Sequence, residues 1–314
     1  MDRRSFLVSA AALALAPDAL ARTLGGTPTG LVTADLESHV VAVDLSLMRV
    51  LKEIPTRAGP RSIQTVGNDA VVAHTAHGAL SIVDGPSLRV RRVLGGFGAP
   101  RYTAAANDGV TAFVTDSERD ELVIVDVREG RVVSRVAVGG PARHVTYVAS
   151  RDEVWTSLGS KAERIAVVDV SRPARPRLVR RFAPPFLAHD VGLGPNGIVW
   201  VSSGSERGLV IYRGEQATRI AGDAPPQHVT FLGGLAYVTS GDDGTLRVHS
   251  AADGRLRHVT RVPTGSYNVQ QGFGRILTPS LSKGTLCIAD RNGRVLRRLH
   301  VARSSHDACF VMSA

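Results

Sequence analysis

Histidine offers the most chemistry of any residue type in this chain, and its spacing is regular. His144, His189, His228 and His306 fall at corresponding points of a repeat of roughly 40 residues, a period typical of stacked repeat architectures. Ser62, Tyr102 and Asn268 occupy the remaining copies of that position. His189 stands as far before Trp200 as His144 before Trp155, and Asn268 as far before Leu277 as His228 before Tyr237. Neutral imidazole is a ligand for zinc, copper, nickel and iron. Histidines on successive repeats therefore form a candidate metal site, with zinc or copper as the expected ion. His74, at the corresponding end of another strand, is a fifth candidate ligand. Ser62, Tyr102 and Asn268 are candidate ligand-binding residues. The competing use of polar side chains at a repeated strand start is to hydrogen-bond the backbone of the next repeat, and repetition alone would copy that habit.

The elements that must carry these residues are short strands. One strand per repeat ends on a hydroxyl: Val32-Thr33, Val114-Thr115, Trp155-Thr156, Val201-Ser202, Val238-Thr239 and Leu277-Thr278, with Ala73-His74 the exception. A second apolar run follows, closing on aspartate at Asp44, Asp84, Asp126, Asp169 and Asp290, where a carboxylate can accept backbone N–H bonds in a turn. In the third copy, Tyr102 to Ala106, Val110 to Thr115, Leu122 to Asp126 and Arg131 to Val138 are separated by turn signals. Four antiparallel strands joined by tight turns make one propeller blade. The first copy lacks an inner strand, and Asp307 to Met312 has nothing after it. The fold expected is all-β: a seven-bladed β-propeller of four-stranded blades, closed by the C-terminal strand pairing into the first blade. Strand polarity then puts the starts of the inner strands and the ends of the second strands on one face, so most of the histidines crowd one mouth of the central channel. Asp190 and Asp307 directly follow two of them and point to the opposite side, from where they can orient a histidine on an adjoining blade.

Ala236-Tyr237-Val238-Thr239-Ser240 and Ala112-Phe113-Val114-Thr115-Asp116, with the downstream Val-Val-Asp and Gly-Arg-Val runs, resemble the YVTN repeat. Over residues 22–314 the chain is similar to the YncE-like family of exported seven-bladed propellers. The resemblance implies the fold more than the activity, because one fold hosts many functions. Relatives in shape include propeller lactonases, streptogramin lyases and scaffolds without known chemistry, and some copper enzymes on seven-bladed propellers hold metal by histidines from successive blades. Two functions are thus carried forward. One is a scaffold that binds a ligand, metal or partner at the histidine-rich top face. The other is a metal-dependent hydrolase or lyase, with Tyr102 as acid or orienting group.

Residues 1–21 read as a cleavable signal: Arg3-Arg4-Ser5-Phe6-Leu7, an apolar stretch to Ala16, and Ala19-Leu20-Ala21 as an A-x-A site. The paired arginines resemble a twin-arginine (Tat) signal, which implies export of a folded protein to the periplasm or beyond. That stretch is too short to span a membrane. The net charge of +10 comes from arginines spread over every repeat, with few interleaved aromatics, so nucleic acid is not the expected partner. The expected partner is a small molecule or a protein at the top face, and the expected state is a monomer. Cys287 and Cys309 can pair or stay as buried free thiols. No Gly-x-Ser-x-Gly elbow, His-Glu-x-x-His helix or phosphate loop is present.

Overall fold

A computed structural model describes residues 25–314. The signal-type segment 1–21 lies outside the described residues. Seven four-stranded antiparallel sheets follow one another along the chain, each running from an inner to an outer strand. Blade four is representative, with strands Ala142–Val148, Glu153–Leu158, Ile165–Asp169 and Arg177–Phe182. The middle strands are buried on both faces because each blade is covered by its two neighbours, which explains their unbroken apolar runs. Seven apolar clusters hold the ring. Each joins two adjacent blades, as where Trp155 and Val167 meet Val191, Val201 and Tyr212.

The ring closes as the repeat predicts. Ala308–Ser313 is the inner strand of blade one, pairing antiparallel with Thr27–Ala34 from Thr27 opposite Ser313 to Val32 opposite Ala308. The recurrent aspartates do the expected turn work: Asp44 accepts from the N–H groups of Ser46 and Leu47, Asp126 from Glu129, and Asp290 from Asn292 and Arg294. Cys287 and Cys309 are free and buried in different clusters. Among the described residues no helix is long and apolar enough to cross a membrane.

The recurrent hydroxyl has a definite task. In blades three to six a hydroxyl sits opposite a residue near the start of the inner strand, here termed the lead residue, and accepts that residue's N–H: Tyr102 to Thr115 (3.0 Å), His144 to Ser157 (3.3 Å), Asp190 to Ser202 (3.2 Å) and His228 to Thr239 (3.3 Å); in blade four it is Ser157 rather than the expected Thr156. It then donates its own proton to the next blade, to the carbonyl just before that blade's lead residue. Thr115 reaches the carbonyl of Arg143 at 2.6 Å and Ser157 that of His189 at 3.0 Å; Ser202 reaches Gln227, and Thr239 reaches Tyr267.

Two blades lack the hydroxyl, not one as the sequence suggested: Ala73 lies opposite Ser62, and the register of Gln270 with Leu277 carries Pro279, rather than Thr278, opposite Asn268. In both, the lead residue supplies the missing donor. Ser62 Oγ bonds the Arg101 carbonyl, and Asn268 Nδ2 the His306 carbonyl at 2.7 Å. His306 Nδ1 completes the set at 2.9 Å from the Arg61 carbonyl. All seven blade junctions thus carry a side-chain donor to the same backbone acceptor.

Replacing Thr115 by valine keeps the shape but leaves the Arg143 carbonyl and the Tyr102 N–H without their partner. Each unpaired buried group costs about 1–3 kcal/mol. Urea unfolding of the variant should show a loss of at least that size, and a midpoint equal to that of the parent would refute the role given to the hydroxyl.

Candidate functional site

The backbone register corrects one sequence inference. Trp155 lies opposite Thr146 and Trp200 opposite Gly192, so the reversal between the first two strands is one residue shorter in blade five. Equal spacing to tryptophan therefore does not mean equal position. The lead residues of blades five and one are Asp190 and Asp307, and His189 and His306 stand one residue earlier, nearer the mouth. Two stacked rings result. The lower holds Ser62, Tyr102, His144, Asp190, His228, Asn268 and Asp307, and the upper holds the residue preceding each.

Three imidazoles converge across these rings. His144, His189 and His228 each present a ring nitrogen, all within 4.8 Å of one another. Their ring centres are 4.4 Å apart for His144 and His189, 4.7 Å for His144 and His228, and 5.3 Å for His189 and His228. Tyr102 packs on the group, 4.3 Å from His144 and 5.7 Å from His228. His144 is 1% exposed and His228 8%.

In each ring Nδ1 is occupied by an oxygen. His189 Nδ1 donates to the Ser160 carbonyl at 3.0 Å, and His228 Nδ1 lies 3.4 Å from Asp190 Oδ2. Ser157 spends its one proton on the His189 carbonyl, so its oxygen accepts from His144 Nδ1 at 3.5 Å. That leaves the lone pairs on Nε2, and His144 Nε2 is buried with no hydrogen-bond partner. An imidazole whose Nδ1–H is held by a carboxylate or carbonyl is the usual form of a metal ligand. Burial, with the neighbouring His189 and His228, pushes His144 well below the ordinary histidine range; burial also lowers His189 to about 4. Both are neutral at pH 7, and the donor set fits a transition metal.

The other candidates lie differently. His306 gives Nδ1 to the Arg61 carbonyl, with its ring 6.2 Å from Tyr102. His74 is not among the converging rings: its Nδ1 meets the Ala58 carbonyl at 3.1 Å and its Nε2 meets Ser81 Oγ at 2.9 Å. Ser62 and Asn268 use their side chains at blade junctions.

Asp190 and Asp307 each bond the N–H just after the next blade's lead residue, Val229 and Ile63 respectively, both at 3.1 Å. Burial, the largest single influence, would raise Asp190, but His228, His189 and the Val229 N–H together hold the carboxyl below its usual range. Asp307 is pushed up to about 6 by burial. Below the imidazoles a channel cavity of about 270 Å³ is lined by Tyr102, Thr103, Asp190, His228, Gln270 and Asp307 among others. Sequence reasoning gave no role to Arg61, Arg101 and Arg143, although each directly precedes a lead residue on three successive blades.

No protein-family model and no curated protein sequence matches this chain. Solved structures do. Citrobacter koseri AztD aligns over 92% of this chain and 99% of its own, with 11% identity and a TM-score of 0.68. A functionally unknown protein from Desulfotomaculum acetoxidans aligns over 90% and 98%, with 11% identity and a TM-score of 0.77. The dihydro-heme d1 dehydrogenase NirN aligns over 87% of this chain but only 63% of its own, with 16% identity and a TM-score of 0.61. At such identities the likeness establishes the fold: this chain is an all-β, seven-bladed propeller.

Because His74 is held at about 4 in the fold, chiefly by burial, against 6.5 for the free side chain, the unfolded chain takes up its proton first as pH falls. The contribution is complete above about pH 6.5 and is lost as pH falls toward 4. Stability measured by denaturant should therefore decline over that window, and less so in His74→Asn. A variant with the same acid slope as the parent would remove His74 as the cause.

Proposed function

We propose that this propeller is an exported, YVTN-like scaffold that binds one transition-metal ion, zinc foremost, through Nε2 of His144, His189 and His228. The observation that carries the reading is the buried, unpartnered His144 Nε2 beside two rings whose Nδ1 atoms are already held. Zinc takes imidazole nitrogens at about 2.0–2.1 Å, which puts tetrahedral ligands about 3.3 Å apart. One nitrogen from each ring already lies within 4.8 Å of the other two. Asp190 would orient His228, as carboxylates do behind metal-bound histidines. Export rests on the arginine pair and A-x-A site of residues 1–21.

Untagged, full-length protein should bind one zinc per chain. His144→Ala should abolish stoichiometric binding, while Asp190→Asn should weaken it by about 10–100-fold. Calorimetry with both variants checks this, and zinc binding indifferent to His144 would refute the site.

A second reading, a metal-dependent hydrolase or lyase, is favoured by one feature. Three protein ligands leave a fourth position open, the arrangement of catalytic zinc, beside Tyr102. Burial pushes the Tyr102 hydroxyl up to about 12, so it keeps its proton at neutral pH. If this reading holds, zinc-loaded protein should open simple lactones, and Tyr102→Phe should lower kcat with zinc affinity unchanged. Equal rates for parent and variant would exclude Tyr102 as the acid.

A further inference from the structure

The upper ring is Arg61, Arg101, Arg143, His189, Gln227, Tyr267 and His306 in blade order. Its last members are committed: Gln227 bridges Gly204 and Gly241, Tyr267 donates to Asp242, and His306 holds Arg61. The arginines are half-buried on three successive blades, at the register position that His189 fills on the fourth.

Their charges are poorly compensated. Arg61 pairs with Asp35 at 2.8 Å, whereas Arg101 has only the Ser117 hydroxyl, at 3.2 Å. Arg143 Nε is buried without a hydrogen-bond partner, and among the described residues no carboxylate pairs with Arg101 or Arg143. Arg143 directly precedes His144 in the chain, and its charge acts on Tyr102, His144, His189 and His306. Arg101 is held below its usual range by burial and then by Arg143.

Apart from Asp35 on Arg61, the acidic top loops do not neutralise this charge. Asp116 accepts from the N–H groups of Gly98 and Ala99, Glu37 holds Arg303, and Asp242 accepts from Tyr267. Asp190 and Asp307 are tied to backbone on the channel side. A divalent ion among the three imidazoles would raise the positive charge further. Tyr102 packs beside the three imidazoles that would hold it.

We infer that the mouth of the channel is an oxyanion site, in which Arg143, aided by Arg101 and Arg61, clamps a carboxylate or phosphate group of a small ligand against the His144–His189–His228 centre. The inference rests on the metal reading above and names the ligand class that completes it. Guanidinium forks match the oxygens of either group, and charge-assisted bonds in a half-buried mouth are strong.

The test uses full-length protein loaded with cobalt(II), whose visible spectrum reports the fourth ligand. Phosphate and acetate are titrated separately, with chloride as the ionic-strength control. A saturable spectral change with either anion is expected, and the stronger binder identifies the group. Arg143→Gln should weaken that binding by about tenfold or more, the loss of one charge-assisted hydrogen bond. The same variant should leave zinc affinity in anion-free buffer unchanged or raise it, since a positive charge has gone. No change beyond that of chloride, or anion binding indifferent to both Arg143→Gln and Arg101→Gln, overturns the inference. If cobalt does not load, the metal reading fails by itself. Phosphate calorimetry on metal-free protein then decides: binding that Arg143→Gln weakens supports the arginine clamp, and absence of binding overturns it.

Discussion

A single hydrogen bond, repeated around the ring, fixes where every inner strand begins. At each junction a side chain from one blade donates to the carbonyl just before the next blade's lead residue. The acceptor lies at the blade seam, where an unpaired carbonyl would cost about 1–3 kcal/mol. The apolar clusters between blades supply most of the cohesion but are non-directional. They would tolerate a small slide of one sheet against the next. The junction bond would not, and so it sets which residues face the channel. Its persistence where the hydroxyl is missing, through Ser62 and Asn268, shows that the bond rather than the residue type is the repeated feature.

Polar groups at the hub follow from that constraint. Seven strand starts converge on a narrow axis, and whatever side chains they carry meet there. Neutral imidazole is cheaper to bury than a charge, and low proton affinity keeps His144 and His189 neutral. Asp190 stays ionised because His228 and the Val229 N–H face it. Asp307, without an equally close imidazole, is left with a carboxyl near 6. Two aspartates at equivalent positions thus differ through the groups that face them.

The fold was legible because its signals are local. The repeat period, the terminal hydroxyls and the turn aspartates all act within one blade or across one junction. The period and the aspartates kept their expected places, whereas the hydroxyl shifts by one residue to Ser157 in blade four and gives way to Pro279 in blade seven, where Thr156 and Thr278 were expected. The histidine arc was legible only in outline. Equal spacing to Trp155 and Trp200 placed His144 and His189 at one level, whereas the shorter reversal in blade five moves His189 up by one residue. The same displacement puts Asp190 level with His228, which is how it becomes that histidine's partner. No sequence signal could separate His74 from the arc, because both its nitrogens are taken by Ala58 and Ser81, contacts that only the folded loop creates. The arginines were legible as scattered charge. Many prove to be ties between blades: Arg91 reaches the Val127 carbonyl at 2.6 Å, Arg135 that of Gly96 at 2.9 Å, and Arg298 that of Arg261 at 2.9 Å.

These ties bear on how the site and the ring depend on each other. His144, His189 and His228 come from three different sheets, and Tyr102, Arg101 and Arg61 from two more. No single blade holds two of the converging imidazoles, so the site exists only when neighbouring sheets are docked in register. The closing strand Ala308–Ser313 pairs with Thr27–Ala34 and so locks the register of all seven. A ligand that spans blades binds the closed ring and not the open chain, and therefore stabilises closure by mass action. Conversely, any loosening of a junction among blades three to six spreads the imidazoles before it unfolds a sheet. Convergence of the imidazoles and cohesion of the propeller depend on the same junction bonds.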